Sequence, residues 1–203
     1  LVHQPADVLK DEFNGESTAS KLARVREQME KEEAQYHIIS TLDDIAWILN
    51  VRGNDIPHVP VVLSFLVIGK EDAMWFVEEN ALSDAVKEMA AECGITIRPY
   101  EDVYAYAATI PEHSTVLLDK RKVNYRITNA LSETVHIVSK ANPSQLMKAI
   151  KNEIELENTR KAHLLDGIAV TKFMYWLKKN VGKIPMEEVS VSDYLQSLRE
   201  QME

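Results

Sequence analysis

The sequence predicts an α/β domain, a mixed sheet of about five or six strands flanked by helices and followed by a C-terminal helical extension. Three observations carry this reading. Short β-branched runs alternate with amphipathic helical patterns from Tyr36 to Val138, as a layered α/β fold requires. A nearly unbroken apolar run from Val59 to Ile68, broken only by Pro60 and Ser64 and closed by Gly69, reads as a strand buried on both faces. After Asn142-Pro143 the strand pattern stops and only helical periodicity remains.

Taken in order, residues 1–16 carry Pro5, Asn14 and Gly15 without a sustained period and read as a linker on a surface. Ser17 or Thr18 caps a helix running to about Ala34, with Leu22, Val25, Arg26 and Met29 as its inner stripe. Its other face (Glu27, Glu30, Lys31, Glu32, Glu33) is solvated. Tyr36–Ser40 is a short strand, and Thr41 opens the next helix, where Asp43 and Asp44 suit the positive end of the dipole. That helix (Ile45, Ala46, Ile48, Leu49) runs into the polar turn Arg52-Gly53-Asn54-Asp55 ahead of the apolar strand. The turn thus lies at the end of a core strand, where clefts form in α/β folds.

Lys70–Asp72 is a turn and Ala73–Val77 a strand, together a β-hairpin. Leu82–Cys93 is a helix stopped by Gly94, Ile95–Arg98 a strand and Tyr100–Ala108 a helix. Thr115–Leu118, Tyr125–Leu131 and Val135–Val138 complete the pattern as strand, helix and strand. Pro143–Ile150 is a connecting helix, and a long helix from Lys151 to about Val181 ends at Gly182 and Pro185. Val191–Glu203 begins an amphipathic helix without a partner. The α/β domain therefore spans 17–142, and 143–203 holds the connecting helix and the first helices of a second domain.

Composition narrows the function. A formal net charge of −9 over 203 residues opposes a nucleic-acid surface, which needs a cationic face. No apolar run approaches the ~18 residues of a bilayer span, and no signal-peptide pattern precedes the fold, so neither nucleic acid nor a membrane is expected as partner. Cys93 is the single cysteine, so no internal disulfide forms, which suits a reducing cytoplasm. Leu1 in place of an initiator Met, and an end at Gln-Met-Glu inside a helical pattern, make the chain read as a piece of something longer.

Arg52, Asp55 and His58 are the candidate site residues, a polar cluster facing a cleft or a neighbouring domain. The guanidinium fork of Arg52 suits a peptide carbonyl or carboxylate. The competing reading pairs Asp55 with Arg52 to stabilise the turn and lets His58 cap a strand. His163 and Asp166, at i and i+3, read as a helix-surface pair, because two ligands on one helix without a third group do not make a metal site. His3, His37, His113 and His136 stand singly, as structural or surface residues. Cys93 packs as a small apolar residue, Ser64 lacks a G-x-S-x-G elbow, and Gly53 and Gly69 are turn glycines without a phosphate loop. Trp47, Trp75 and Trp176 lie in apolar patterns, in a core or a domain interface.

Residues 42–69, LDDIAWILNVRGNDIPHVPVVLSFLVIG, closely resemble the middle domain of three-domain Xaa-Pro aminopeptidases, with the usual pattern LDEIAWLxNxRGxDxxxNPVxxSYxxI. GESTASKLARVREQM resembles the family's entry helix, and KAIKNEIELENTRKAHLLDGIAVTKFMYWL its segment leading to the "pita-bread" catalytic domain. Val59 replaces an Asn of the pattern and Phe65 a Tyr, so two polar groups are lost from the cleft-side strand. The resemblance implies a creatinase N-terminal fold for the α/β domain, with residues 1–16 as an interdomain linker. It also implies a cytoplasmic, homo-oligomeric parent enzyme that removes the residue before proline from proline-containing peptides. Two divalent metal ions, manganese in the usual case, would be held by carboxylates and a histidine of the catalytic domain that map onto no residue here. No catalytic, metal or cofactor residue is then expected in this chain, which alone would be inactive. An α/β binding or dimerisation module that has lost the peptidase is the reading from another class. A creatine-type amidinohydrolase fits less well, because it lacks the R-G-x-D signature of the middle domain.

Overall fold

A computed structural model describes residues 5–202. In chain order the elements are β1 (Asp7–Val8), α1 (Asp11–Asn14), α2 (Thr18–Lys31), β2 (Tyr36–Ile39), α3 (Leu42–Ile48), β3 (Val51–Arg52), β4 (Ser64–Gly69) and β5 (Ala73–Val77). A 3-10 turn (Glu79–Ala81) leads to α4 (Asp84–Glu92), β6 (Ile95–Arg98), α5 (Asp102–Ala108), β7 (Thr115–Leu118), α6 (Tyr125–Ala130) and β8 (His136–Ser139). Then come α7 (Pro143–Ala149), α8 (Glu153–Asn180) and α9 (Glu188–Glu200). The chain divides into two compact units between Lys151 and Asn152.

In the first unit six strands form a mixed sheet in the order β6-β5-β4-β2-β7-β8. β4 runs antiparallel to both neighbours, and the β5–β6, β2–β7 and β7–β8 pairs are parallel. Ile39, Leu66, Ile68, Trp75 and Leu117 pack on one face with Leu22, Val25, Ile45, Ile48 and Val86 of α2, α3 and α4. On the other face Ile38, Phe65, Val67, Phe76, Val116 and Leu118 pack with Val103, Ala107 and Ile127 of α5 and α6. Each such aliphatic or aromatic side chain contributes about 1.5–3 kcal/mol when fully buried.

Every residue of β4 is buried, as a strand covered on both faces demands. The apolar run is not all strand, however. Val59 to Leu63 is irregular and Val59 is 44% exposed. His58 has a left-handed φ of 64°, and Pro60 has no N–H to give a ladder, so pairing starts only at Ser64.

Local chemistry accounts for the other boundaries. Ser17 Oγ accepts from Ser20 N at 3.2 Å and starts α2. The Arg26 guanidinium leaves the inner stripe to hold the β4–β5 hairpin, donating to Gly69 O (3.0 Å) and Asp72 O (2.9 Å). Gly94 takes φ 67° just past α4, the left-handed position that ends many helices.

Of the segment read as a linker over 1–16, residues 5–16 are described and pack within the first unit. β1 pairs antiparallel with β3, Asp7 opposite Arg52 and Val8 opposite Val51. Buried Ala6 donates to Ala81 O (2.6 Å), and buried Asn14 donates to Leu9 O (2.8 Å). A two-residue strand is too short to show a period in the sequence. His3 lies outside the described residues. α7 packs within the first compact unit, which ends at Lys151.

The second unit is a helix pair. Asn152 and Glu155 form a capping box at the start of α8. α9, expected to lack a partner, packs on α8: the Trp176 and Tyr194 rings are 4.2 Å apart and Arg199 Nε donates to Asp166 Oδ1 at 2.7 Å. Ala169 and Leu198 are buried there, while Leu164, Ile168 and Met174 are exposed.

Candidate functional site

Because β4 alone is reversed, its first residue lies at the edge where the other strands end. α3 follows β2 onto one face of the sheet and α6 follows the neighbouring parallel strand β7 onto the other. Such a divergence opens a crevice at the carboxyl edge of an α/β sheet. The loop from Arg52 to Leu63 enters β4 at this edge and carries all three candidate residues.

Arg52 is half-buried, and its Nη1 donates to Ala46 O (2.8 Å) and Val51 O (3.0 Å). The guanidinium thus serves the C-terminal turn of α3, where a cation is favoured by the helix dipole. Asp55 closes the loop: Oδ2 accepts from Leu63 N (2.8 Å) and its own N–H donates to Val61 O (3.3 Å). His58 is exposed at the left-handed turn position between Ile56 and Val59, which form a β-bridge. The fold brings the three residues into one loop, with Arg52 and Asp55 bonded to backbone groups and His58 turned to solvent. Below the loop, a Cβ on Gly53 would stand 2.6 Å from Val62 Cγ2 and 3.1 Å from Val61 O, so only glycine lets these strands of the loop approach.

Two buried polar networks hold the two ends of α3, and neither was visible as a motif. Lys21 is 1% exposed; its Nζ donates to Trp47 O (3.0 Å) and Asn50 Oδ1 (2.5 Å) and lies 4.4 Å from the Trp47 ring centroid. Asn50, at φ 52°, donates in turn to Glu16 O (2.8 Å), and Thr18 Oγ1 donates to Leu49 O (3.0 Å). These bonds satisfy carbonyls left over at the end of α3 and fix the start of β3.

The second network centres on Asp44, fully buried at the start of α3. Its carboxylate accepts from Thr41 Oγ1 (2.5 Å), Asn142 Nδ2 (3.1 Å) and Lys148 Nζ (3.0 Å). Lys148 also bonds Asp43. Burial pushes the Asp43 carboxyl up, but the bond and charge of Lys148 outweigh it and hold it below the usual range. Under this network, fully buried His37 bonds Leu117 O through Nδ1 at 2.9 Å, which places the proton on Nδ1. Its Nε2 has no partner among the described residues. Burial lowers its pKa to about 4, against the smaller opposing effects of the Leu117 carbonyl and the Asp44 charge.

The remaining candidates keep modest roles. His163 Nδ1 lies 2.9 Å from Thr159 O, Ser64 Oγ donates to Val62 O (3.2 Å), and burial raises the pKa of the half-buried Cys93 thiol. Trp47 and Trp75 are in the core. Among the described residues no group of three or more His, Cys, Asp or Glu is placed to hold a metal ion. The acidic pair Asp43 and Asp44 does not fit one either, because the Lys148 ammonium already lies against both.

Residues 1–155 match the family described as creatinase/prolidase N-terminal domain. The curated protein named "Probable Xaa-Pro aminopeptidase P" of Neurospora crassa is 34% identical over 97% of this chain and 30% of its own length. Xaa-Pro aminopeptidase 1 of Dictyostelium discoideum is 34% identical over 95% of this chain and 31% of its own. The chain thus spans about a third of the length of these relatives. Among solved structures, the X-prolyl aminopeptidase of Caenorhabditis elegans, described as a cytosolic enzyme with a di-nuclear active site, matches with a TM-score of 0.87 at 27% identity. That match covers 97% of this chain and 33% of the other. The prolidase of Pyrococcus horikoshii shares the fold, with a TM-score of 0.61 at 18% identity over 89% of this chain and 48% of its own.

Proposed function

Because this chain belongs to the creatinase/prolidase N-terminal domain family, we propose that it is the non-catalytic scaffold and cleft wall of an Xaa-Pro aminopeptidase. The whole protein would release the N-terminal residue from peptides with proline at position two, in the cytoplasm and as a homo-oligomer. The supporting observation is the near-complete alignment of the chain with about a third of proteins bearing that name. Residues 152–203 would be the first helices of the catalytic domain. Two divalent metal ions, manganese in this reading, would supply the activated water, on ligands outside the α/β unit; no step of that chemistry falls to a residue described here.

The part this chain plays is to shape the cleft. Arg52 offers a planar fork suited to a peptide carbonyl or carboxylate at the carboxyl edge, and Asp55 fixes the loop that presents it. His58 is the outward group of the same loop. The experiment compares the 203-residue chain with the full-length protein on an Xaa-Pro peptide with manganese. Turnover only by the full-length protein is expected, and turnover by the 203-residue chain above background overturns the scaffold reading. In the full-length protein Arg52→Ala is expected to raise KM with little change in kcat; unchanged kinetics remove Arg52 from the cleft.

A further inference from the structure

We propose that α7 is a detachable element of the α/β unit, latched to α3 by the buried carboxylate of Asp44 and not by apolar packing. The buried residues between 141 and 150 are the polar Asn142 and Ser144. The large apolar side chains of the segment point outward: Leu146 and Ile150 are each 68% exposed, and Met147 is only partly buried. A helix seated in this way gains little from the hydrophobic effect.

Charge-assisted bonds hold it instead. Asn142, the N-cap residue, donates to Thr41 Oγ1 (2.9 Å) and Asp44 Oδ2 (3.1 Å), and Lys148 in the last turn donates to Asp44 Oδ1 (3.0 Å) and to Asp43. Both ends of α7 therefore converge on one carboxylate. The docked state also carries a penalty, since Asn142 Oδ1 and Ser144 Oγ are buried without a hydrogen-bond partner among the described residues. A groove of about 700 Å³ is lined by residues of both α2 and α7, among them Arg24, Gln28, Pro143, Leu146 and Ile150. Little apolar gain, two stranded polar atoms and a single charged hub describe an element that opens locally at lower cost than the sheet. Its departure leaves the core packed, because Met147 is the one apolar α7 side chain that packs, only partly buried, on the α2–α3–α4 cluster. The charge on Asp44 then governs where the chain leaves the α/β unit.

Hydrogen exchange read by mass spectrometry on the 203-residue chain tests this. In Asp44→Asn and in Lys148→Met the amides of residues 146–150 are expected to exchange at least tenfold faster, with β4 and β5 unchanged. Unchanged exchange in α7, or acceleration of α7 together with the strands, overturns the proposal. Lys148 is partly exposed, so its variant decides the outcome if the Asp44→Asn chain does not fold.

Discussion

The ammonium of Lys21 and the side-chain oxygen of Asn50, 29 residues apart, meet at 2.5 Å in the interior of the protein. A buried lysine is tolerated only when its donors are taken. Here they are spent on Asn50 and on the Trp47 carbonyl at the end of α3.

Lys21→Met keeps the apolar stem and strands both acceptors. Leaving a buried acceptor unsatisfied costs about 1–3 kcal/mol, so urea unfolding is expected to show a loss of about 2–4 kcal/mol. An unchanged midpoint would mean that the network adds nothing to the junction of α2 and α3.

His37 makes stability depend on acid. Its folded pKa of about 4 lies below the ordinary 6.5, so the unfolded chain binds the proton more readily. Stability from this residue is complete above pH 6.5 and is lost as pH falls from there through 4. A gap of that size corresponds to about 3 kcal/mol. His37→Gln is expected to flatten the dependence between pH 6.5 and 4, measured by denaturant unfolding across that range.

Gly53→Ala places a methyl group against Val62 Cγ2 and Val61 O. Overpacking of this kind costs about 1–3 kcal/mol. The loop from 59 to 63 is expected to shift while the sheet holds, which chemical-shift changes confined to the loop and the β4 entrance would register.

Arg52→Ala removes the cation at the end of α3. A stability loss of roughly 1 kcal/mol is expected from the helix-end bond alone. In the full-length protein, a rise in KM beyond what Arg52→Lys gives would mark the fork geometry, and not the charge, as the contribution to the cleft.

Much of this architecture was readable from side-chain periodicity. The alternation from Tyr36 to Val138 pointed to about five or six strands with helices between them, the sheet has six, and β4 is buried on both faces as its Leu66-Val67-Ile68 core demands. Pro60 and the left-handed His58 shortened that strand at its start, a backbone constraint that hydrophobicity does not encode. β1 escaped notice because two residues carry no period. Of the candidate site, the sequence located the loop but not the partners: Asp44 looked like a dipole-favouring acid, and its partner Lys148 lies 104 positions further along the chain. The burial of Lys21 and His37 was equally hidden, since nothing local to either residue announces it.

The reversed direction of β4 has a consequence for how the chain finds its shape. β4 and β5 zip up across a tight turn, and β6 joins them within the same stretch. The seam between β2 and β7, by contrast, joins His37 to Leu117 across 80 residues. Closing so long a loop is the slow part of building a sheet, so pulse-labelled refolding should protect strands 64–98 first and leave 115–139 to lock on last.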